Sequence, residues 1–194
     1  MDIVLDRPLT TEAFLAWEDR QEGKHEFDGR DIIPTAGGSY GHQDAGGSYG
    51  HQDIVFHLRG LLGRLLAGQP YRVAQEMRLR IGRRVRYPDV IICPGPRDQT
   101  IRTETDAVAI FEVLADDTAT TDRVQKLIEY AELPSLRAYV LLEQAAIAAT
   151  MFRREAGGAW IATAHTEGAL QVAGLDIALP LAEVYQGLTF STAE

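Results

Sequence analysis

The chain has 194 residues, 45% of them hydrophobic and 24% charged, with a formal net charge of -9 and one cysteine, a composition that suits one compact domain spanning 1–194. The lone Cys93 excludes an intrachain disulfide and a zinc site built on thiolates, so any metal here would have oxygen ligands. The acidic balance argues against broad, nonspecific gripping of polyanions; no apolar run reaches membrane-span length and the start MDIVLDRPLTTEAF lacks a secretory signal's basic flank, so the expected location is cytoplasmic, with no membrane partner.

Thr10 can cap a helix whose face carries Phe14, Leu15 and Trp17. In KHEFDGRDII, Asp28-Gly29 has the chemistry of a tight turn between two short strands. AGGSYGHQD then occurs twice without a mismatch, over 36–53. Nine residues fall far below the period of a stacking repeat. We read a recent duplication, or one in the recorded sequence, rather than a working module. One copy suffices to link the hairpin to a helix beginning near Asp53. The second copy, which contains His51, has the register that leads into that helix, whereas His42 belongs to the loop.

The long helix is signalled by Ile54, Val55, Leu58, Leu61, Leu62, Leu65 and Leu66 at spacings of three and four. From Tyr71 to Cys93 the pattern alternates, giving consecutive strands with Gly82 at a turn. Arg78, Arg80, Arg83, Arg84 and Arg86 are expected to solvate that exposed hairpin rather than to grip phosphate. AVAIFEVLA is apolar enough for a central strand buried on both faces. The next helix places Val124, Leu127, Ile128 and Ala131 on one face and ends before Pro134. A strand, a C-terminal meander and a short helix around LAEVYQG complete an α+β chain with a mixed β-sheet core flanked by helices.

Two acids interrupt apolar strands: Asp89 in RYPDVIIC and Glu112 in AIFEVLA. An uncompensated buried charge costs several kcal/mol. For either residue alone the plainer reading is an ion pair with an arginine. Together, on neighbouring strands, they could converge on a hard cation, with Mg²⁺ the natural occupant and Mn²⁺ the other candidate.

Pro88-Asp89 followed by Glu112-Val113-Leu114 resembles the PD-(D/E)xK nuclease signature, with Leu114 where the pattern has lysine. HEFDGRDI, His51 at the long helix, YPDVII and FEVLADDTATTDRVQKLIEYAEL together resemble the Uma2 family (also called DUF820) of restriction-endonuclease-like proteins, from about Thr10 to Arg154. Ala115 departs from the serine typical of that family. The resemblance implies a restriction-endonuclease-like core and a metal-dependent endonuclease acting on DNA. Asp89, Glu112 and the main-chain carbonyl of Val113 would be metal ligands. Lys126 would be a lysine migrated to the following helix, and Glu26 an additional acid. The other reading is a nuclease-fold protein that binds without cutting. On its wheel Lys126 lies opposite the apolar stripe, where a solvated lysine belongs. A homodimer is expected, because an acidic protein that cuts DNA often needs a second subunit to complete its binding surface. His57, His165 and Trp160 read as structural, and no phosphate loop, serine elbow or paired cysteines are present.

Overall fold

The computed structural model describes residues 10–35, 48–96, 98–114 and 120–190, with the side chains of 120–123 outside that description. The first copy of the duplicated segment and Ala115 also fall outside it. Three elements, α1 (Thr11–Glu18), β1 (His25–Phe27) and β2 (Ile32–Pro34), precede the long helix α2 (Tyr49–Leu65). Then come β3 (Tyr71–Gln75), β4 (Arg78–Ile81), β5 (Arg84–Arg86), β6 (Val90–Pro94), β7 (Thr103–Glu104) and β8 (Ala109–Leu114). After α3 (Thr120–Ala131) follow β9 (Ala138–Glu143), β10 (Ala149–Arg154), β11 (Trp160–His165), β12 (Ala169–Gln171), β13 (Ala178–Pro180) and α4 (Leu181–Val184). No helix among the described residues is long and apolar enough to cross a membrane.

The architecture is α+β, as expected. A six-stranded mixed sheet runs β11-β10-β9-β8-β6-β3, a five-stranded sheet runs β2-β1-β5-β4-β7, and β12 pairs with β13. The apolar run AIFEVL becomes the inner strand β8, buried along its whole length, antiparallel to β6 and parallel to β9. β3 and β6 pair in this sheet, while β4 and β5, which lie between them in sequence, form their hairpin in the other. Gly82 turns that hairpin at φ 56°, a left-handed conformation that glycine adopts without a Cβ penalty.

Alternation along β6 and β8 divides the core into two layers. Val90, Ile92, Phe111 and Val113 face α2, whereas Ile91, Ile110 and Leu114 face Tyr130 and Leu133 at the α3 end. α2 buries Ile54, Val55, Leu58, Leu61 and Leu62. At about 1.5–3 kcal/mol for each fully buried side chain, this stripe contributes on the order of 10 kcal/mol against the entropy of ordering the helix. A smaller cluster joins α1 to the five-stranded sheet, with Phe14 stacked on Phe27 at 5.1 Å between centroids.

Three expectations need correction. α2 starts at Tyr49, not near Asp53, because Ser48 caps it by accepting from the His51 amide at 3.2 Å. Half of the second nine-residue copy is therefore helix, not linker. The β4–β5 arginines do not simply solvate the hairpin: Arg78 and Arg86 are buried, and their partners are acids on α1, β1 and α3. The third correction concerns which face α3 turns inward, and it bears on the site.

Candidate metal and catalytic site

Val90 pairs with Phe111 in the β6–β8 ladder, so continuing the register by one residue sets Asp89 opposite Glu112. Directly opposed residues of an antiparallel pair share a face, here the face of Ile91 and Ile110 beneath α3. The Val113 amide donates to Asp89 Oδ2 at 2.7 Å. The N–H and C=O of a strand residue are directed at the same neighbouring strand, so the Val113 carbonyl is turned toward Asp89 as well. His51 on the first turn of α2 brings Nε2 to 3.3 Å from the same Oδ2, and this contact raises the imidazole pKa above its ordinary value.

Glu112 is 7% exposed. Its Oε1 accepts from the Tyr130 hydroxyl at 2.7 Å and lies 3.4 Å from Lys126 Nζ. Burial pushes the Glu112 carboxyl up to about 7; the Lys126 ammonium opposes that rise and the charge on Asp89 adds to it. The Tyr130 phenol is driven upward by burial and then by Glu112. Two acids, one ammonium and one phenol therefore interact where the end of β8, the start of β6 and α3 meet. Among the described residues, neither Asp89 nor Glu112 pairs with an arginine.

Lys126 reaches Glu112 because the expected inward stripe is not the buried one. Val124 is 53% exposed and Ile128 62% exposed, whereas Glu129 and Tyr130 are buried. The wheel failed because the inward face of α3 is held by polar pairs. Glu129 takes two bonds from Arg86, at 2.8 and 2.9 Å, and Tyr130 takes Glu112. Lys126 and Tyr130 are one turn apart, so the rotation that buries Tyr130 also brings Lys126 in.

Glu26 lies one step back from this centre. Its Oε2 accepts from Arg86 at 3.0 Å and its Oε1 from the Tyr87 amide at 3.2 Å, while its charge still raises the Glu112 pKa. Glu26, Asp28, Ile33, Arg86, Gln125 and Lys126 border a cleft of about 440 Å³ between the β1–β2 hairpin and α3. Asp28 itself is held by its turn, accepting from the Arg30 and Asp31 amides at 2.8 and 2.7 Å.

The structure thus gathers Asp89, Glu112, Val113 and Lys126, and adds two residues that sequence reasoning undervalued. His51 is visible only as a histidine at a helix start, and Tyr130 only as the residue one turn beyond Lys126. A separate group, Cys93, Glu104 and Asp106, brings its donor atoms within 4.8 Å of one another. It combines two carboxylates with a thiol, a set less suited to a hard cation than oxygen donors alone.

A family model described as "Putative restriction endonuclease", Uma2, matches residues 11–182. The chain belongs to the Uma2 family. Among its relatives, the "Uncharacterized protein slr1290" of Synechocystis sp. is 29% identical over 187 residues, covering 94% of each chain. A second from that organism, sll1609, is 28% identical over 169 residues, covering 84% of this chain and 90% of its own. The crystal structure of "a putative nuclease belonging to DUF820" from Anabaena variabilis superposes with a TM-score of 0.72 at 14% identity, over 92% of this chain and 98% of that one. At that identity the likeness shows a shared fold.

Proposed function

We propose that this Uma2 protein is a divalent-metal-dependent endonuclease that hydrolyses phosphodiester bonds in DNA, with Asp89, Glu112 and the Val113 carbonyl as its metal ligands. The observation that carries the reading is the opposition of Asp89 and Glu112 on adjacent strands with no arginine between them among the described residues. Oxygen donors of this kind suit Mg²⁺, and Mn²⁺ as well. The raised Glu112 pKa fits the same set, because a carboxyl kept near neutrality by burial and by Asp89 is one that a cation would return to its charged form. Bound there, such a cation supplies charge neutralisation at the phosphoryl group and a water more easily deprotonated near neutral pH.

The chain's own residues do the rest. His51 and the Val113 amide both hold Asp89 Oδ2, which leaves Oδ1 without a hydrogen bond among the described residues and so open to a cation. Tyr130 fixes Oε1 of Glu112 in the same way. Lys126 supplies a positive charge beside Glu112 and along the cleft, where it can meet a phosphate oxygen; this is the place of the lysine that Leu114 does not provide. Glu26 stands as a second-rank acid, tied to Arg86 and available to orient water. The reading includes a homodimer acting on DNA.

The net charge of -9 and Leu114 favour the other reading, a nuclease fold kept as a binding module. Incubation of plasmid and single-stranded DNA with the full chain and Mg²⁺ or Mn²⁺ separates the two. The nuclease reading expects cleavage that Asp89→Asn and Glu112→Gln each reduce by at least about 100-fold, with unchanged circular dichroism. Binding without cleavage in the native chain, or cleavage indifferent to both substitutions, sinks it.

A further inference from the structure

The outer face of α2 is built unlike the rest of the surface. Phe56 is 73% exposed and Tyr49 88% exposed, on a helix whose other face is fully packed. Tyr49, Asp53, Phe56, Arg59, Gly60 and Gly63 all fall within about 60° of Phe56 around an α-helix. A Cβ placed at Gly60 or Gly63 would meet nothing within 4 Å, so the helix backbone is open to close approach there. Asp53 and Arg59 are exposed and take part in no ion pair among the described residues.

The order of these residues is complementary to its own reverse. Turned end for end about Phe56, the stripe sets Tyr49 level with Gly63, a large side chain against a gap. It also sets Asp53 level with Arg59, since each stands three residues from Phe56 and an arginine is long enough to span the helix–helix gap. We propose that this chain forms a two-fold homodimer through the outer face of α2, the two helices antiparallel and crossing at Phe56. A second copy of the chain is the one partner certain to carry the matching charges in the matching order, and a two-fold axis uses each contact twice. The exposed aromatics supply the apolar centre and the Asp53–Arg59 pairs fix the direction. The interface stands whether or not the chain cuts DNA, and the helix face it uses lies away from the one that sends His51 to Asp89.

Sedimentation velocity on the full chain tests it. The native protein is expected to sediment as a dimer at concentrations up to about 100 µM, above the Kd of a modest interface. Phe56→Ser and Asp53→Arg should each raise the dissociation constant by about tenfold or more, the second because it places arginine opposite arginine twice per dimer. The double exchange Asp53→Arg with Arg59→Asp restores the charge pattern and should restore the dimer, which separates pairing from misfolding. A monomeric native chain, a dimer indifferent to Phe56→Ser, or a double exchange as dissociated as Asp53→Arg alone would each overturn the proposal.

Discussion

In the five-stranded sheet, Arg78 and Arg86 are 7% and 5% exposed, and each meets two carboxylates: Glu18 and Asp19 for Arg78, Glu129 and Glu26 for Arg86. In the six-stranded sheet, Glu112 is as deeply buried, yet its partners are a tyrosine hydroxyl and a lysine, and Asp89 is held by a histidine and a backbone amide. Both regions place charge where solvent is scarce, but only the first neutralises it with arginine forks. A bidentate guanidinium saturates a carboxylate and leaves little for a ligand to gain. The lysine and hydrogen-bond arrangement leaves Glu112 so poorly compensated that its pKa rises to about 7. Burial alone therefore does not separate the proposed metal ligand from the structural acids; the kind of partner does.

The comparison is most easily broken at Arg86. Arg86→Ala takes from Glu129, which is 2% exposed, its two shortest bonds and leaves it the Gln125 amide at 3.2 Å and Arg84 Nε at 3.6 Å, and urea unfolding should show a loss of about 3 kcal/mol. A loss below about 1 kcal/mol would put the arginine network on a level with ordinary surface pairs.

At Glu112 the sign reverses. Its folded pKa of about 7 stands above the ordinary glutamate value of 4.5, so between those values the folded state keeps a proton that the unfolded chain has released. Stability of the metal-free protein therefore falls as pH rises through this window and levels off above about 7. Glu112→Gln should remove that slope and stabilise the metal-free chain at pH 8 by on the order of 1–2 kcal/mol, with little effect at pH 4. Parallel slopes in variant and native protein, followed by thermal melts across pH, would show that the burial of Glu112 is compensated in the folded state.

The smallest effect belongs to the outward face of α3. Ile128→Lys should change stability by less than about 0.5 kcal/mol, because the side chain already lies in solvent. A loss of about 2 kcal/mol or more in the same assay would mean that the apolar stripe packs inward after all.

Much of the framework was legible in the sequence. AIFEVL as an inner strand, the strand after Asp89, the Asp28-Gly29 turn and the α2 stripe each follow from local pattern, since burial there is apolar and periodic. The nearness of Asp89 and Glu112 was legible as two charges interrupting apolar strands. What periodicity could not show was the orientation of α3, where Val124 and Ile128 look inward on a wheel and face solvent in the fold. That choice is made by Arg86, 43 residues from Glu129, and by Glu112, 18 residues from Tyr130. Partners that distant leave no trace in a local window. His51 entered only through the family resemblance and read more simply as a plain helix-start histidine, because its distinction is a contact with a residue 38 positions away.

Lys126 stands at a junction, lining the cleft with one side while its ammonium lies 3.4 Å from Glu112. An anion that settles in the cleft and draws that ammonium toward itself takes away the charge that opposes protonation of Glu112, so the carboxyl binds its proton more tightly. By reciprocity, ionising Glu112 must weaken the cleft's hold on the anion to the same degree. The cleft and Glu112 are thus electrostatically coupled, through the Lys126 ammonium and through the charge on Glu26, which lines the cleft and raises the Glu112 pKa.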